Sequence, residues 1–451
     1  MADLLDSQTI HPIHPHAAGI DIGSETHWVS VGAGTTSPSV RKFGCFTADL
    51  YAMAAWLKAC GVTTVAMEST GVYWIPVFQI LETQGFEVRL VNAHSVKTVP
   101  GRKSDVLDCQ WLQQLHSYGL LSGSFRPEDQ VCVLRSYVRQ RERLTQSASV
   151  HIQRMQKALV EMNLQLNRVV SDITGVTGMR IIRAILSGEQ DPERLATLKD
   201  PRAKRSVAEM AAALHGDYRA EHLFVLQQEV QLYDIYQEQI QRCDQQIEQC
   251  LAQFESRPAS DEPLPPRPKG RKPSRSAPAF DLRAHLYRIS GVNFTQIDGL
   301  EALSVQTILS EVGLDPTRFP SVKHFVSWLG LCPGSRISGG KVLSSKTRKV
   351  NNRAATAFRI AAHSLANSHT ALGAFYRRIR SRLGAPKAIT ATAHKLARIF
   401  YRLWVTGERY EDPGVDYYEQ QYQQRVLKNL EKRASQLGFQ LTPVAASQEV
   451  S

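Results

Sequence analysis

The hydrophobic pattern of this chain changes near residue 129, and the change predicts at least two separately packed units. Before it, short β-like runs alternate with amphipathic helical segments, and the runs are AGIDIGSETHWVSVG, VTTVAMES and FEVRLVNA. Strands that alternate with helices predict a sheet covered by helices. After residue 129 the pattern becomes one of long polar helices. A chain of 451 residues also exceeds one typical hydrophobic core.

Residues 129–256 carry two stripes of apolar side chains spaced by three and four positions. The first stripe is Ile152, Met155, Leu159, Met162 and Leu166, and the second is Tyr233, Tyr236, Ile240, Cys243, Ile247, Cys250 and Phe254. This spacing predicts seams for antiparallel or intermolecular pairing of helices, so we expect a helical, coiled-coil region. The core stripe of an ordinary helical bundle would show the same spacing.

The remaining chain divides by composition. Residues 257–279 are rich in Pro, Ser and basic side chains and cannot form a core, which predicts a flexible linker. A helical pattern follows over residues 285–410, and residues 411–451 are expected to be a polar tail. The α/β domain itself is expected over residues 17–125.

Charge is segregated along the chain. The formal net charge is +12, and the stretch from Pro316 to Gly407 contains many Lys and Arg residues but no Asp or Glu. A solvated surface normally mixes both signs, so a long block of one sign favours a polyanionic partner, and a phosphate backbone is the natural one.

Composition excludes several other classes of protein. No stretch approaches the roughly 18 consecutive apolar residues that a membrane span needs, and the N-terminus resembles neither a secretory signal nor a transit peptide. The seven cysteines are scattered and form no C-x-x-C pair, which is typical of a reduced compartment. We therefore expect a cytoplasmic protein that is not embedded in a membrane.

Four acidic residues occur where a metal-dependent nuclease would need them. Asp21 lies within an apolar strand pattern, Glu68 ends a second strand, and Asp105 and Asp108 lie three apart at the start of a helix. Such acids could hold two divalent cations, and oxygen ligands select magnesium or manganese. Taken singly, each has a simpler explanation: a turn former, a surface residue, or charges that complement a helix dipole.

A second candidate site is the loop LCPGSRISGGK, in which Ser338 precedes two glycines and lies between Arg336 and Lys341. Glycines let a backbone approach a phosphate closely, and the flanking cations would hold it. The spacing does not match a nucleotide-binding P-loop, because Gly340 stands where that motif has its lysine.

The segments GIDIGSETHWVSV, AMESTGVYW, GRKSDVLDCQWLQQL and GLCPGSRISGGK resemble the DEDD transposases of the insertion-sequence 110 family, from about residue 17 to residue 410. The resemblance implies an RNase H-like (RuvC-like) N-terminal domain, a helical middle region and a mainly α-helical C-terminal transposase domain. It implies that Asp21, Glu68, Asp105 and Asp108 are the metal ligands and that Ser338 attacks DNA to form a phosphoserine link. Ser335 is the nearest alternative nucleophile, and Ser344 or Ser345 could bind phosphate. The resemblance also implies a bridge RNA as guide.

The C-terminal region supplies candidate contacts to nucleic acid. FTQIDGLEALSVQTILSEVG resembles a helix-hairpin-helix, but Glu301 replaces its second glycine, so a structural role is as well supported as phosphate binding. The segment that follows the serine loop predicts contacts to a DNA or RNA backbone, together with the two residues that flank Ser338: Arg336, Lys341, Lys346, Arg348, Lys349, Arg353 and Arg359. A site that combines the serine with the carboxylates requires the two domains to meet, in one chain or across a homodimer or homotetramer.

Three other functions remain open from the residues alone. A RuvC-like endonuclease or Holliday-junction resolvase would use the four acids for hydrolysis and leave Ser338 idle. A sugar kinase or actin-like ATPase would explain DIGSETH, but no second phosphate loop accompanies it. A nucleic-acid-binding protein without activity would explain only the charge.

Overall fold

The computed structural model describes residues 11–32, 36–69, 71–92, 104–257, 264, 266 and 276–442. The chain divides into two compact units, residues 1–126 and 127–451. The boundary falls where the hydrophobic pattern changes. Within the described residues each unit has its own hydrophobic core.

The first unit is a mixed α/β domain built on a five-stranded sheet. Its described elements are β1 (Ala17–Ile22), β2 (Thr26–Val31), β3 (Val40–Gly44), α1 (Thr47–Ala59), β4 (Thr64–Glu68), α2 (Trp74–Thr83), β5 (Glu87–Val91) and α3 (Asp105–Ser117). The strand order is β3-β2-β1-β4-β5. Pairing is antiparallel from β3 to β1 and parallel from β1 to β5. The α/β expectation for this part of the chain is confirmed.

The two faces of the sheet pack against different helices. Ile20 and Met67 are buried on one face, in a core shared with side chains of α1 and α2. Because side chains alternate along a strand, their neighbours Gly19 and Ala66 face the other side. There α3 packs on β1, β2 and β4. The sheet is therefore covered on both faces, and among the described residues α3 is the helix that covers one of them.

The C-terminal end of α3 is anchored to the sheet by a buried histidine. His116 Nε2 lies 2.9 Å from Thr64 Oγ1 on β4, and its ring lies 5.0 Å from the ring of His14. Burial, and next the charge of His14, lowers the pKa of His116 to about 4. The imidazole is therefore neutral near pH 7, and it fixes one end of α3 without placing a charge in the core.

Two long helices dominate the first part of the second unit. The helices of this part are α4 (Asp129–Glu161), α5 (Leu166–Val169), α6 (Val176–Leu186), α7 (Pro192–Thr197), α8 (Val207–Leu214) and α9 (Ala220–Gln253). Polar contacts join α4 to α9 in reverse order along the chain: Arg141 forms an ion pair with Asp244, and His151 Nδ1 lies 2.6 Å from a carboxylate oxygen of Glu229. The two helices are therefore antiparallel partners within one chain.

The residues of the two predicted seams lie at the contacts of this helical region. Met155, Leu159, Met162 and Leu166 are buried in a core that the short helices α6 and α7 also join. Ile240, Ile247 and Cys250 of α9 are buried as well. Both interpretations of the spacing, a seam and a core stripe, fit this arrangement. Coiled-coil pairing with another subunit stays a prediction.

The rest of the second unit is mainly helical, as expected. Its elements are α10 (Leu282–Ser290), α11 (Ala302–Val312), α12 (Val322–Trp328), β6 (Arg336–Ser338), β7 (Lys341–Ser344), α13 (Arg353–Ser364), α14 (Ala371–Leu383), α15 (Ala385–Thr406) and α16 (Gly414–Gln436). Aromatic rings fill its centre. Phe294 and Phe400 stack with centroids 3.9 Å apart, and Phe358 meets Phe400 edge to face at 5.5 Å.

Several segments take a form that their sequence left open. The predicted loop around Ser338 is a two-stranded hairpin, β6–β7. Part of the predicted polar tail is the 23-residue helix α16. Most of the predicted linker, residues 257–279, lies outside the described residues. No helix in the described ranges is long and apolar enough to cross a membrane.

Candidate active site

Asp21 and Glu68 lie on neighbouring strands at the same level of the sheet. In the parallel pairing of β1 with β4, Ile20 is opposite Met67, so Asp21 and Glu68 follow one residue later on their strands. Both side chains are half-buried. By the alternation of a strand they point to the face that α3 covers. The two acids that the sequence placed on separate strands are thus brought together.

Asp105 and Asp108 occupy the first turn of α3. Ser104 caps this helix, and its Oγ accepts a hydrogen bond from the backbone N–H of Leu107 at 3.4 Å. Residues three apart lie on one face of a helix, and the positive end of the helix dipole favours acidic groups in the first turn. The predicted N-cap and the predicted shared face of the two aspartates are both present.

Gly19 lets α3 approach β1 much more closely than any other residue would. A Cβ atom at this position would lie 2.3 Å from the backbone nitrogen of Gln113 and 2.4 Å from the carbonyl oxygen of Cys109. Both are backbone atoms of α3, so a side chain could not be accommodated by a change of rotamer. The contact occurs two residues before Asp21 and one helical turn after Asp105 and Asp108. Gly19 therefore sets the distance between strand and helix acids.

The pKa of Asp21 responds to the other three acids, which indicates that the four acids lie in one region. Its pKa is raised from 3.8 to about 6, first by burial and then by the negative charges of Asp105, Asp108 and Glu68. A backbone hydrogen bond from Ile22 opposes this shift. Close carboxylates repel one another and favour the protonated form of the most buried member. All four predicted residues thus contribute to one electrostatic cluster, the carboxylate cluster.

The carboxylate cluster has the donor chemistry for a hard divalent cation but not a completed set of ligands. Four carboxyl groups supply oxygen donors only, which suits magnesium or manganese. Within the described residues, no three His, Cys, Asp or Glu side chains lie close enough to hold one ion. The residue types and their charges fit a metal centre, and ligation by these four residues stays a prediction.

Ser338 lies at the tip of the β6–β7 hairpin. Gly339 and Gly340 form its turn with φ angles of 53° and 74°, and positive φ at both central residues is the geometry that favours glycine in two-residue hairpins. Ser338 pairs with Lys341 across this turn. Both residues of the pair are exposed, as is the alternative nucleophile Ser335. The hairpin thus presents the Ser338 hydroxyl to solvent beside a cation.

The predicted basic contacts fall into two groups. Arg348 donates to the backbone oxygen of Ser327 at 2.7 Å and to its Oγ at 3.2 Å, and Arg353 forms an ion pair with Glu142. These two arginines already have partners within the second unit. The others are exposed or half-buried and form no ion pair with any described residue: Arg336, Lys341, Lys346, Lys349 and Arg359.

The segment that resembles a helix-hairpin-helix is a packing element. Gly299 has a φ of 86°, and a Cβ there would lie 2.7 Å from the backbone oxygen of Ala361 on α13. A 3-10 turn, Phe294–Gln296, and a buried Leu300 precede α11. The glycine is used for close packing of the turn on α13, which agrees with the structural role that the sequence allowed.

Sequence reasoning missed two features. Gly19 was not singled out, although a glycine two residues before a buried acid in a strand is a signal of close approach. A groove beside β7, lined by α15 and α16, was also missed. Its signal lies in the segment predicted as a tail, where Tyr417, Gln421 and Arg425 recur every four residues.

Comparison with known protein families agrees with this pattern of residues. A family model described as a DEDD transposase matches residues 18–164, and a second, described as a transposase of the IS116/IS110/IS902 family, matches residues 292–377. The first range contains the whole carboxylate cluster, and the second contains Ser338 and every predicted basic contact. The protein is thus a DEDD transposase, an enzyme that acts on DNA. It belongs to the IS110 family of insertion-sequence transposases. A search of curated proteins finds no match.

Proposed function

We propose that this transposase cuts and rejoins DNA strands with two sets of groups: the carboxylate cluster of the first unit and Ser338 of the second. The observation that carries the proposal is the placement of the acids: Asp21 and Glu68 lie on neighbouring parallel strands, and Asp105 and Asp108 begin the helix that packs on those strands. The raised pKa of Asp21, to about 6, agrees with this placement, because its causes include all three of the other acids. A cluster of carboxylates under mutual repulsion is a common feature of functional sites. Catalysis requires both sets to act on the same phosphodiester, in one chain or between subunits.

An RNase H-like (RuvC-like) fold for the first unit accompanies this proposal. Three antiparallel strands continue into two parallel ones. The two strand-borne acids lie at the ends of neighbouring parallel strands, and the negative charges of the two acids in the first turn of α3 act on Asp21. Such an arrangement supports metal-dependent chemistry on phosphodiesters.

Asp21, Glu68, Asp105 and Asp108 would hold the cation, with Mg²⁺ as the first choice and Mn²⁺ as the second. A bound divalent cation stabilises the charge that develops on phosphate oxygens during the reaction. The protein supplies the geometry. β1 and β4 fix two of the carboxylates, and Gly19 fixes how close the other two can come.

Ser338 is the proposed nucleophile. Its oxygen would bond to phosphorus and displace a sugar oxygen, so a phosphoserine ester would keep the energy of the broken phosphodiester for rejoining. The exposed tip of the hairpin leaves the hydroxyl accessible to a strand of DNA. Lys341, opposite Ser338 in the hairpin, is positioned to bind the phosphate charge.

DNA is the substrate of the family, and a bridge RNA and a homo-oligomer are part of the proposal. Arg336, Lys341, Lys346, Lys349 and Arg359 would contact the phosphate backbone of either nucleic acid. Arg348 and Arg353 have partners inside the protein. For these two residues we propose that support of the loop before α13 comes first and phosphate contact second.

The deciding experiment traps the covalent link. The full chain is incubated with Mg²⁺, DNA carrying the element end, and the RNA transcribed from the element, and it is then denatured. We expect a protein–DNA adduct whose peptide maps to Ser338, and we expect that Ser338→Ala abolishes it. Ser435→Ala, which removes an exposed hydroxyl of the same unit on α16, is the matched control and should leave the adduct unchanged.

Two outcomes would overturn the assignment. An adduct that persists in Ser338→Ala and disappears in Ser335→Ala would move the nucleophile to Ser335. Cleavage by the wild type with no adduct at any time would favour the alternative, a RuvC-like nuclease in which the carboxylate cluster directs hydrolysis by water.

A further inference from the structure

A long groove in the second unit lies beside the Ser338 hairpin and encloses about 1860 Å³. Its walls are α14, one face of α15, one face of α16, and strand β7 with the loop that follows it. Sites for small ligands typically enclose ~300–1,000 Å³. The size of this groove therefore suits an extended ligand.

The α15 wall is a polar face of a helix whose opposite face is buried. Five of the α15 residues that line the groove are spaced by four, three, four and four positions, which keeps them on one side of the helix: Lys387, Ala391, His394, Arg398 and Arg402. The other side packs into the core through Ala388, Leu396, Phe400 and Leu403. The cations of α15 are therefore directed into the groove by the packing of the helix.

The α16 wall presents an aromatic ring and a cation. Tyr417, Gln421 and Arg425 line the groove at intervals of one helical turn. The neighbouring face holds the helix in place, because Arg378 of α14 lies 3.4 Å from the centre of the Tyr422 ring. Tyr417 takes no part in that contact and is 52% exposed. Its ring is free to stack with a ligand.

The groove is cationic. Its lining contains Lys, Arg and His side chains but, within the described residues, no Asp or Glu. Arg402 is neutralised by Glu408. Lys395 lies over the rings of Phe375 and Tyr418. Five further lining cations form no ion pair with a described residue, and they are Lys346, Lys349, Lys387, Arg398 and Arg425. A concave surface with this charge attracts a polyanion.

We propose that this groove binds an unpaired stretch of nucleic acid, with a base stacked on Tyr417 and phosphates held by Lys387, Arg398 and Arg425. In a duplex the bases already stack on one another, whereas an unpaired base offers a face to an aromatic ring. The inference rests on the proposed function for its class of ligand, a polynucleotide. The α15 and α16 walls lie beyond residue 377, after the ranges that the family models match.

The stacking contact is tested with Tyr417→Ala. Binding of fluorescent 12-nucleotide oligo(dT) and oligo(U) to the full chain is followed by anisotropy, with a 12-base-pair duplex as reference. We expect about tenfold weaker binding of the single strands, which corresponds to about 1.4 kcal/mol, and little change for the duplex. Tyr417→Phe should bind normally. Tyr51→Ala, which removes a ring that is 50% exposed in the first unit, is the matched control.

The phosphate contacts are tested with the triple variant Lys387→Gln, Arg398→Gln and Arg425→Gln. We expect its slope of log affinity against log salt to fall by about 2, since each phosphate contact on a single strand contributes about 0.7. The control triple variant loses the same charge from exposed α16 positions outside the groove lining: Lys428→Gln, Lys432→Gln and Arg433→Gln. It should retain most of the slope.

Groove-dependent binding of either oligonucleotide supports the inference, and the tighter probe identifies the sugar. Single-strand binding that is unchanged in both the Tyr417→Ala and the triple variant would overturn it, as would an equal loss for the duplex. These outcomes are separate from the serine test. A chain that forms the Ser338 adduct but binds single strands elsewhere refutes the groove alone, whereas groove binding without any adduct refutes the nucleophile alone.

Discussion

The carboxylate cluster and the Ser338 hairpin are built in opposite ways. Asp21 and Glu68 extend from central strands whose other face is fully buried, and α3 brings its acids to them across a contact that only glycine permits. Ser338 lies on a two-stranded hairpin in which every strand residue except the half-buried Ser344 is exposed, and two glycines form its turn. One set of groups is held by a core. The other is held by its own turn, by strand pairing and by backbone contacts at the base of the hairpin, such as the hydrogen bond from the Gly334 N–H to the Lys346 carbonyl oxygen.

This difference predicts that the carboxylate cluster is rigid and that the Ser338 hairpin can move. Carboxylates that repel one another stay together only where surrounding packing holds them, and the core of the first unit supplies that packing. An isolated two-stranded hairpin is marginally stable, so the serine can adjust to the strand that it attacks. We therefore expect a substitution that disturbs the packing of the first region, at Gly19, to lower stability and activity together, and a substitution in the hairpin to lower activity with little change in stability.

Loss of a carboxylate should have the largest effect. Asp21→Ala is expected to reduce strand cleavage by about 10³-fold or more, because removing charge stabilisation worth several kcal/mol raises the barrier by a comparable amount. Folding and binding of nucleic acid should persist, and circular dichroism and a gel-shift assay would check both. Glu68→Ala, Asp105→Ala and Asp108→Ala should behave in the same way.

Glu25→Ala is the matched control for these variants, because Glu25 is an exposed carboxylate of the same unit. Its cleavage rate should equal that of the wild type. Near-normal cleavage by Asp21→Ala would refute the assignment of the cluster. An unfolded Asp21→Ala protein would instead assign Asp21 a structural role.

Gly19→Ala should have the next largest effect. The added methyl group would meet backbone atoms of α3 at 2.3 and 2.4 Å, so α3 must move away from β1. We expect a loss of about 3 kcal/mol in the free energy of unfolding, near the upper end for overpacking a core, and weaker cleavage in the protein that remains folded. Chemical denaturation would measure the first and a plasmid assay the second.

Gly123→Ala provides the comparison, since a Cβ at Gly123 would meet nothing within 4 Å. Its stability should stay within about 0.5 kcal/mol of the wild type. If Gly19→Ala is equally harmless, α3 is not fixed by this contact.

A smaller effect on stability should follow from Asp21→Asn, and it should depend on pH. The folded protein holds the Asp21 proton more tightly than the unfolded chain does, because the pKa is about 6 rather than 3.8. In the absence of divalent cations, the wild type should therefore lose stability as the pH rises from about 4 to about 6. The Asn variant lacks this loss, so it should be more stable by about 1–3 kcal/mol above pH 6 and similar below pH 4.

Denaturation in a chelating buffer at pH 4, 5, 6 and 7 would measure this difference. Parallel stability curves for the two proteins across that range would show that Asp21 is not under repulsion. Glu25→Gln, at an exposed site of the same unit, should give a curve parallel to that of the wild type.

The variant Gly340→Ala, in the turn of the Ser338 hairpin, should have the smallest effect on stability. Gly340 has a φ of 74°, and an alanine in that conformation costs about 1–2 kcal/mol locally. Because the hairpin is exposed and marginal by itself, we expect the free energy of unfolding of the whole chain to change by about 1 kcal/mol or less. Formation of the Ser338 adduct should nevertheless fall clearly. A large loss of global stability would show that the hairpin is packed into the fold.

Much of this architecture could be predicted from local pattern. β-like runs identified four of the five described strands of the sheet but not β3 (Val40–Gly44), and a serine before an apolar-periodic segment identified Ser104 as the cap of α3. The motif residues also located both candidate sites. In contrast, the turn before α11 could be recognised only as a choice between phosphate binding and packing, because the partner of Gly299 is a carbonyl of α13, far away in sequence.

Basic residues that are neighbours in the sequence can have different contacts in the folded protein. Arg348 and Lys349 are adjacent, yet Arg348 donates a hydrogen bond to the backbone oxygen of Ser327, whereas Lys349 lines the groove. Likewise, α16 has the composition of a polar tail. The tertiary structure shows that α16 forms a wall of the groove. Arg378 of α14 stacks on Tyr422 on one side of the helix, while Tyr417 stays exposed in the groove lining.

The sequence by itself determined the types of chemistry that this protein can perform, since carboxylates, a serine between cations and a block of one charge are properties of residues and their order. Only the tertiary structure decided which of these groups lie close together in space. The strand register places Asp21 beside Glu68. The absence of a side chain at Gly19 allows α3 to approach them. The packing of α15 makes one of its faces a wall of the groove. The physical reason is that electrostatic interaction and packing act over a few ångströms in space, and distance along the chain does not set that separation.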